Sequence, residues 1–355
     1  PNVMEWDESQ HFPKKLFTDH FGPAGMLGVF VPEQYGGAGL GYHEYVDTIV
    51  EVARVCGSIG LSVAAHNSLC TGHINYFGND AQKKKWLTKL ATGEWLGAWA
   101  LTEPNTGSDA MRMKCTARRD GNDWVLNGTK CWITHGISSD VVVAIVRTGE
   151  LLDSKGMTAF VIERGTPGLK AGKKENKLGM RASETAEVIF EDCRLPIAQR
   201  IGAEGDGMRI ALSALDRGRL GIAAVATGIA QAALDSAVAW AGEREQFGRK
   251  IGQFQGLGFL LADMAAATEA ARATYLHAAR LKDAGLPFSR QASIAKLVAT
   301  DAAMKVTTDA VQVLGGYGYT SEYDVERLFR DAKVTQIFEG TNQIQRVVIA
   351  RDLLR

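Results

Sequence analysis

The segment Asp120-Gly121-Asn122-Asp123-Trp124-Val125-Leu126-Asn127 decides the fold, because it joins a turn signal to the start of a β-strand. Further short β-branched runs follow at Val141–Arg147, Met157–Glu163 and Ala186–Glu191, separated by Gly, Asp and Ser, with no long helix between them. This pattern predicts an antiparallel barrel or sandwich of about 100 residues, between residues 98 and 205.

The residues before this region are predicted to be mainly helical. Apolar side chains recur at three- and four-residue spacing between Val46 and Ala53, which is the period of one helix face. A glycine run, Gly36–Gly41, interrupts the pattern. It does not match G-x-G-x-x-G, because Tyr42 stands at the last required glycine and no strand precedes it. We therefore interpret it as a turn and not as a dinucleotide-binding loop.

Long helices are predicted after residue 205. Three segments without proline, Ile222–Trp240, Leu257–Leu281 and Gln291–Leu314, have helical periodicity, and Gly315-Gly316 follows the third as a C-cap. The predicted fold class is mainly α with a central β-barrel. It comprises an N-terminal helical domain (1–97), an antiparallel β domain (98–205) and a C-terminal four-helix bundle (206–355).

Composition excludes several function classes. Lys+Arg and Asp+Glu are 40 each, so no basic excess favours nucleic acid. Val141–Val146 is the longest dense apolar run, much shorter than a bilayer span, which predicts no membrane insertion. Five scattered cysteines without C-x-x-C spacing predict free thiols, and seven histidines without ligand spacing predict no metal. The chain begins at Pro1 inside a polar segment, which suggests that an N-terminal piece is missing.

Four motifs are candidates for chemistry: Leu101–Asp109, Lys130–Thr134, Gln312–Tyr319 and Ile337–Gln343. The hydroxyls and the glycine of the first could hold a phosphate, and Trp132 of the second could lie against a flat cofactor. Glu339 of the fourth could be a desolvated base. Taken singly, each motif is more often structural: a polar loop, a tryptophan of the barrel core, or a solvated loop carboxylate.

All four motifs occur together and in order, and with them the chain resembles the acyl-CoA dehydrogenases over nearly its whole length. The resemblance includes the signature stretches Ala100–Asp109 and Gln312–Asp331, together with Leu178–Arg181 and Phe190–Asp192. Thr106 departs mildly from the small residue common at its position, and the family's N-terminal helix is shortened.

The resemblance implies an FAD-dependent flavoenzyme of fatty acid β-oxidation that converts acyl-CoA to trans-2-enoyl-CoA. Electrons would pass to electron-transferring flavoprotein, and the assembly would be a homotetramer. The enzyme would be cytoplasmic if bacterial and in the mitochondrial matrix if eukaryotic. Two alternatives remain open: an acyl-CoA oxidase, which usually carries a further C-terminal domain, and a non-catalytic acyl-CoA-binding protein on the same fold.

The resemblance also implies roles for individual residues. Glu339 would be the base that removes the α-proton, and Gly218 occupies the position where other members carry theirs. The implied FAD contacts within one chain are Trp99, Leu101, Thr102, Gly107, Ser108, Trp132, Thr134, Thr341 and Gln343. The resemblance implies that the FAD of a neighbouring subunit is contacted by Arg244, Gln246, Phe254, Gln255, Gln312, Leu314, Gly315 and Gly316. The implied substrate contacts are Ser108, Ser154, Asp216, Arg219 and Gly340; a surface ion pair is the alternative for Asp216 and Arg219.

The closed end of the acyl pocket is expected on the helix Ser58–Cys70. Leu61 and Ala65 there are apolar or small, and Gly60 stands where members acting on dicarboxylic thioesters keep an arginine. A terminal carboxylate would be left unpaired in such a pocket. We therefore predict an uncharged acyl chain of short to medium length, and more specifically a short one.

Overall fold

A computed structural model describes residues 2–354. Pro1, on which the expectation of a missing N-terminal piece rested, and Arg355 lie outside the described residues. Helices occupy both ends of the chain. They are α1 (Val3–Glu8), α2 (Lys14–Leu16), α3 (Tyr42–Val55), α4 (Gly57–Ala64), α5 (Gly72–Phe77), α6 (Asp80–Gln82), α7 (Thr88–Ala91), α8 (Gly207–Glu243), α9 (Gln255–Asp283), α10 (Ser289–Leu314), α11 (Asp324–Thr335) and α12 (Asn342–Leu353).

The strands lie between the helices, apart from one hairpin after α8. They are β1 (Gly97–Ala100), β2 (Thr116–Asp120), β3 (Asp123–Thr134), β4 (Val141–Arg147), β5 (Met157–Glu163), β6 (Leu169–Lys174), β7 (Thr185–Pro196), β8 (Arg200–Ile201), β9 (Glu245–Gln246) and β10 (Arg249–Lys250). The predicted fold class is confirmed, because strands separate two helical regions. The three long C-terminal helices are each longer than their predicted segments.

The central sheet departs in two details from a closed antiparallel barrel. Its strands follow the order β6-β7-β3-β2-β4-β5-β8, and in the described residues no hydrogen bonds join β6 to β8. Strand β1 runs parallel to β4, and β2 meets β4 in parallel at Thr116 and Arg147. The parallel pairing has a simple cause: β1 enters the sheet from the N-terminal helices, whereas the later strands follow one another through short turns.

One core joins the N-terminal and C-terminal helices. Helix α8 packs against α3, α9 and α10, and small side chains line its buried face. At Gly228 an added Cβ would lie 2.6 Å from the Val50 carbonyl oxygen of α3, so this close helix approach requires glycine. The first helical region therefore buries its apolar face against the last one.

Helix α8 is long and apolar enough to cross a membrane by length and composition, the one such helix among residues 2–354. Most of its apolar window is buried within the protein, as expected of a core helix. The sequence interpretation took Val141–Val146 as the longest apolar run and therefore underestimated the length of the most apolar segment, which is α8. Glycines and single arginines interrupt α8 without ending its apolar character.

The prediction of free thiols is confirmed, since all five cysteines are unpaired and buried. Three buried histidines are a second feature of the interior. Burial lowers the pKa of His66 to about 4, of His73 to about 3 and of His135 to about 4. An unfolded histidine, with a pKa of about 6.5, takes up its proton well before these groups do.

Folding stability is therefore expected to fall as the pH drops from 7 to 5, because the unfolded chain binds more protons than the folded one at these histidines. His135→Gln removes one such group. Its free energy of unfolding in urea should decline less between pH 7 and 5, by about 2 kcal/mol, than that of the parent protein. Equal declines in the two proteins would show that His135 titrates normally when folded.

Candidate active site

Glu339 lies in the loop between α11 and α12. Its backbone is left-handed, with φ of 51°, and Gly340 follows with φ of 88°. The residue is half-buried, but its Oε2 atom is fully buried and has no hydrogen-bond partner. An unpartnered buried carboxylate oxygen is energetically unfavourable unless it serves a ligand or a reaction.

The carboxylate lies in a notch on α8. An added Cβ at Gly218 would meet Glu339 Oε2 at 2.0 Å and Leu69 Cδ2 at 3.2 Å. One turn further along the same face, a Cβ at Gly221 would meet the Tyr45 hydroxyl at 2.5 Å. The notch exists because two glycines stand three residues apart on α8. Glu339 therefore lies directly against Gly218, the glycine at the alternative base position.

Burial raises the pKa of Glu339 to about 7, although Lys296 and Arg219 lower it. Arg219 is itself buried, and its guanidinium donates to Asp216 and to Ser293 Oγ, the latter at 3.2 Å. Asp216 and Arg219 do form an ion pair, but Arg219 is buried, so this is not the surface pair that the alternative interpretation described. A carboxyl group with a pKa near 7 is suited to general base catalysis at neutral pH.

Lys296 was not singled out by the sequence interpretation. It is fully buried on α10, and its Nζ donates to the Gly340 carbonyl at 3.0 Å and to Asn342 Oδ1 at 2.8 Å. A signal was present in the sequence: Lys296 interrupts a small-residue face formed by Ala292, Ala295 and Ala299. A lone cation at helical spacing on an otherwise buried face indicates a specific partner.

A buried ion pair anchors the first motif to the second. Lys130 Nζ donates to Glu103 Oε1 and to the Leu101 carbonyl, both at 2.8 Å. The Cys131 amide donates to the Thr102 carbonyl at 2.9 Å, and the Cys115 amide donates to Glu103 at 3.0 Å. Both charged residues lie in predicted motifs, but neither was assigned a role of its own. Together they fix the Leu101–Asp109 loop beside β3.

Lys130→Met is expected to destabilise the protein by about 3–5 kcal/mol, because it leaves the Glu103 carboxylate buried without a counter-charge. Thermal denaturation and the fraction of bound flavin after gel filtration both measure the effect. The matched control is Lys170→Met, which breaks an exposed pair with Glu191 and should cost no more than about 1 kcal/mol. Adding Glu103→Gln to Lys130→Met should recover part of the loss; no recovery would contradict the buried-charge explanation.

The second motif exposes its tryptophan. Trp132 lies in a β-bulge of β3 with φ of 62° and is 60% exposed, whereas Cys131 and Ile133 are buried. Thr134, two residues further along β3, is half-buried. Trp132 is thus not a tryptophan of the sheet core; Trp124 fills that role.

The residues of the first two motifs leave room for a flat cofactor. Trp132 presents an uncovered indole, and an added Cβ at Gly107 would find no atom within 4 Å. Ser108 is exposed beside it. Trp99 is half-buried and donates from its indole Nε1 to His73 Nε2 at 3.1 Å, which fixes the ring. The first two motifs therefore fit FAD.

A second group of predicted FAD contacts lies at the far end of the bundle. The Arg244 guanidinium lies over the rings of Trp240 and Tyr317, and Phe254 packs beneath Arg249. Gln312 is 16 residues from Lys296 on α10, about 24 Å along the helix axis. The exposed members of this group are Gln246, Gln255, Gln312, Gly315 and Gly316. The structure does not bring them to the base of their own chain.

Four further predicted contacts have distinct positions. Thr341 caps α12, its Oγ1 accepting from the Ile344 amide at 3.3 Å, and Gln343 is exposed on the first turn. Leu314 is 4% exposed, so its side chain belongs to the helical core. Ser154 is exposed in the turn between β4 and β5, and no hydrogen bond of the described residues joins its side chain to the base loop.

Comparison with known proteins decides the family. Three family models match in chain order: the N-terminal domain of acyl-CoA dehydrogenase over residues 1–94, the middle domain over 98–193 and the C-terminal domain over 205–354. The chain belongs to the acyl-CoA dehydrogenase family. The predicted resemblance is confirmed, and with it an oxidoreductase family whose members are FAD-dependent.

Individual acyl-CoA dehydrogenases match the whole chain. The short-chain specific acyl-CoA dehydrogenase of Clostridium acetobutylicum is 46% identical over 355 residues, covering 100% of this chain and 93% of the relative. The butyryl-CoA dehydrogenase structure from Megasphaera elsdenii has a TM-score of 0.98 at 43% identity, covering 100% of this chain and 94% of that chain.

A chain in the structure described as "Electron transferring flavoprotein of Acidaminococcus fermentans: Towards a mechanism of flavin-based electron bifurcation" has a TM-score of 0.99 at 47% identity. The match covers 100% of this chain and 93% of that chain. Matching acyl-CoA dehydrogenases occur both in bacteria and in mitochondria.

Proposed function

We propose that this acyl-CoA dehydrogenase oxidises short, uncharged acyl-CoA thioesters, with Glu339 as the base. The observation that carries the proposal is the buried, unpartnered Oε2 of Glu339 seated against Gly218. The alternative base position on α8 is Gly218, which has no side chain that could act as a base.

The residues of the chain supply the proton transfer. The Glu339 carboxylate takes the α-proton of the thioester while the β-hydrogen leaves as hydride, so that a trans double bond forms between the two carbons. FAD, when bound, supplies the acceptor for that hydride. With a pKa near 7, a large share of Glu339 is ionised at neutral pH while remaining a stronger base than a solvated carboxylate.

The same loop supplies a donor for the thioester carbonyl. Among residues 2–354, the backbone amide of Glu339 donates no hydrogen bond to any protein acceptor. Its left-handed φ turns this amide out of the helical hydrogen-bond pattern. A preorganised amide of this kind would stabilise the enolate-like charge that develops as the α-proton leaves. The base and the oxyanion donor thus belong to one residue.

The proposal of a short acyl chain depends on the wall beyond the base. Tyr45 is fully buried there and its hydroxyl donates to the Ala64 carbonyl at 3.3 Å; Leu69 closes the notch beside Gly218. A Cβ at Gly60 would lie 2.7 Å from the Ala53 Cβ, so an arginine there would have to separate α4 from α3. None of these wall residues carries a cation that could pair with a terminal carboxylate.

The positions of the predicted FAD contacts support an FAD site that is shared between the subunits of a homotetramer. Within one chain, FAD would be contacted by Trp99, Leu101, Thr102, Gly107, Ser108, Trp132, Thr134, Thr341 and Gln343. The FAD of a neighbouring subunit would be contacted by the residues at the far end of the bundle: Arg244, Gln246, Phe254, Gln255, Gln312, Leu314 (through its backbone), Gly315 and Gly316. The distance of about 24 Å along α10 supports this division, because one isoalloxazine ring cannot touch both ends.

For the substrate, we propose contacts from Ser108, Asp216, Arg219 and Gly340, with Ser154 reaching the more exposed CoA portion. Electron-transferring flavoprotein is the proposed acceptor. The support is the fold of the chain matched in the structure described by that name, together with the family expectation.

The test is anaerobic reduction of the purified yellow holoenzyme by acyl-CoA, followed as bleaching of the flavin absorbance. Butyryl-CoA should bleach the flavin fastest, octanoyl-CoA more slowly and glutaryl-CoA at least about 100-fold less efficiently, because a carboxylate buried without a partner costs several kcal/mol. A preference for glutaryl-CoA would overturn the substrate class. An absence of bleaching with every thioester would overturn the proposed activity.

A further inference from the structure

Lys296 is a buried cation without a buried anion beside it. Its side chain is fully buried on α10, and among the described residues no carboxylate oxygen lies within 4.0 Å of its Nζ. Its two acceptors are the Gly340 carbonyl at 3.0 Å and Asn342 Oδ1 at 2.8 Å. A buried ammonium group held by neutral acceptors is unfavourable for stability alone, so its retention points to the site it faces.

The Gly340 carbonyl anchors the loop between α11 and α12 that carries Glu339. It accepts from Lys296 and also from Gln345 Nε2 at 2.7 Å. The loop needs such support because Glu339 itself has a left-handed backbone, which is unfavourable for a residue with a side chain. Asn342 is held in turn, its Nδ2 donating to Asp301 Oδ1 at 2.7 Å. The Lys296 ammonium therefore connects α10 to both sides of the turn that carries the carboxylate.

We propose that Lys296 is a positioning residue for the reaction of Glu339: its ammonium fixes the left-handed Glu339–Gly340 turn and keeps a positive charge behind the carboxylate. The inference rests on the proposed function, because it assigns Lys296 a role in the use of that base. Lys296 touches neither the thioester nor the flavin in this proposal. It acts through the position and the ionisation of Glu339.

The ionisable groups that face Glu339 come from three helices. Lys296 is on α10, Arg219 is on α8, and the Tyr45 hydroxyl is on α3. The charge of Arg219 is balanced by its ion pair with Asp216. Lys296 has no such pair: burial lowers the pKa of its ammonium to about 7, and the carboxylates of Glu339 and Asp301 favour its charged form. When it is charged, Lys296 lowers the pKa of Glu339 more than Arg219 does.

The experiment measures the pH dependence of kcat/KM and kcat for butyryl-CoA in three holoenzyme variants. Lys296→Met removes both the donor and the charge; Lys296→Gln keeps an amide donor but no charge. Lys305→Met is the matched control, because it removes an exposed lysine from the same helix. In both Lys296 variants the apparent pKa of the base should rise by about one unit, since an opposite charge has been removed.

The plateau of kcat at high pH separates the two effects of Lys296. It should fall at least about 10-fold in Lys296→Met, because the turn is no longer fixed, and less in Lys296→Gln. Lys305→Met should match the parent enzyme throughout. An unchanged apparent pKa and plateau in both Lys296 variants would overturn the inference.

A further variant tests the inference in case the Lys296 variants do not fold. If neither Lys296 variant retains flavin, Gln345→Leu removes the other donor to the Gly340 carbonyl and keeps the charge. The plateau should then fall at least about 10-fold with the apparent pKa unchanged, and an unaltered plateau would overturn the inference. Failure of the proposed function is distinguishable: the parent enzyme itself would then not bleach with any acyl-CoA. Failure of this inference alone leaves the parent bleaching intact.

Discussion

The Glu339→Gln variant is expected to keep its FAD and to lose the dehydrogenation of butyryl-CoA. Glutamine fills the same volume against Gly218 but cannot accept the α-proton, so the turnover number should fall by about 10²–10⁴-fold. Stopped-flow reduction of the flavin under anaerobic conditions measures the loss directly. Absorbance and gel filtration of the variant show whether flavin and assembly are retained.

The parent enzyme should show the matching pH profile. The active form of a base is the carboxylate, so kcat/KM should rise with pH through the raised pKa of Glu339, about 7, and level off above it. Glu51→Gln, which neutralises an exposed carboxylate on α3, is the control and should follow the parent profile. Parent-like turnover in Glu339→Gln would show that another group is the base.

Gly218→Ala should reduce turnover by about 100-fold, although it adds only one methyl group to a helix. The new Cβ would stand 2.0 Å from Glu339 Oε2, so the carboxylate must move by an ångström or more. A displacement of about 1 Å in a reacting group costs about 10²-fold in rate. The helix itself should not suffer, since alanine is the better helix former. Turnover with butyryl-CoA and thermal denaturation separate the two effects.

Two companion variants sharpen this test. Gly242→Ala adds the same methyl group near the end of the same helix, where no atom lies within 4 Å of the new Cβ, and should leave turnover unchanged. The double variant Gly218→Ala/Glu339→Asp withdraws the carboxylate by one methylene. It should recover part of the turnover lost in Gly218→Ala. If the double variant is no better than Gly218→Ala, the steric explanation is wrong.

Sequence patterns predicted the helices and strands whose residues follow a regular periodicity. The strand alternation around Trp124 and the periodicity of Ile222–Trp240 are local properties, and both elements are present with longer ends. The free thiols also followed from spacing alone. In contrast, the parallel pairing of β1 with β4 depends on residues about 44 apart in sequence, beyond the reach of any local pattern.

For the site, the sequence by itself determined the family, and with it the proposal of Glu339 as the base and of Gly218 at the alternative position, because these depend on residue types in a fixed order. Only the tertiary structure decided that Glu339 and Gly218 touch, and that Lys296 lies behind the base. Those facts depend on α8, α10 and the loop before α12 packing together, which is a matter of long-range burial. Burial is also what raises the pKa of the Glu339 carboxyl group to about 7.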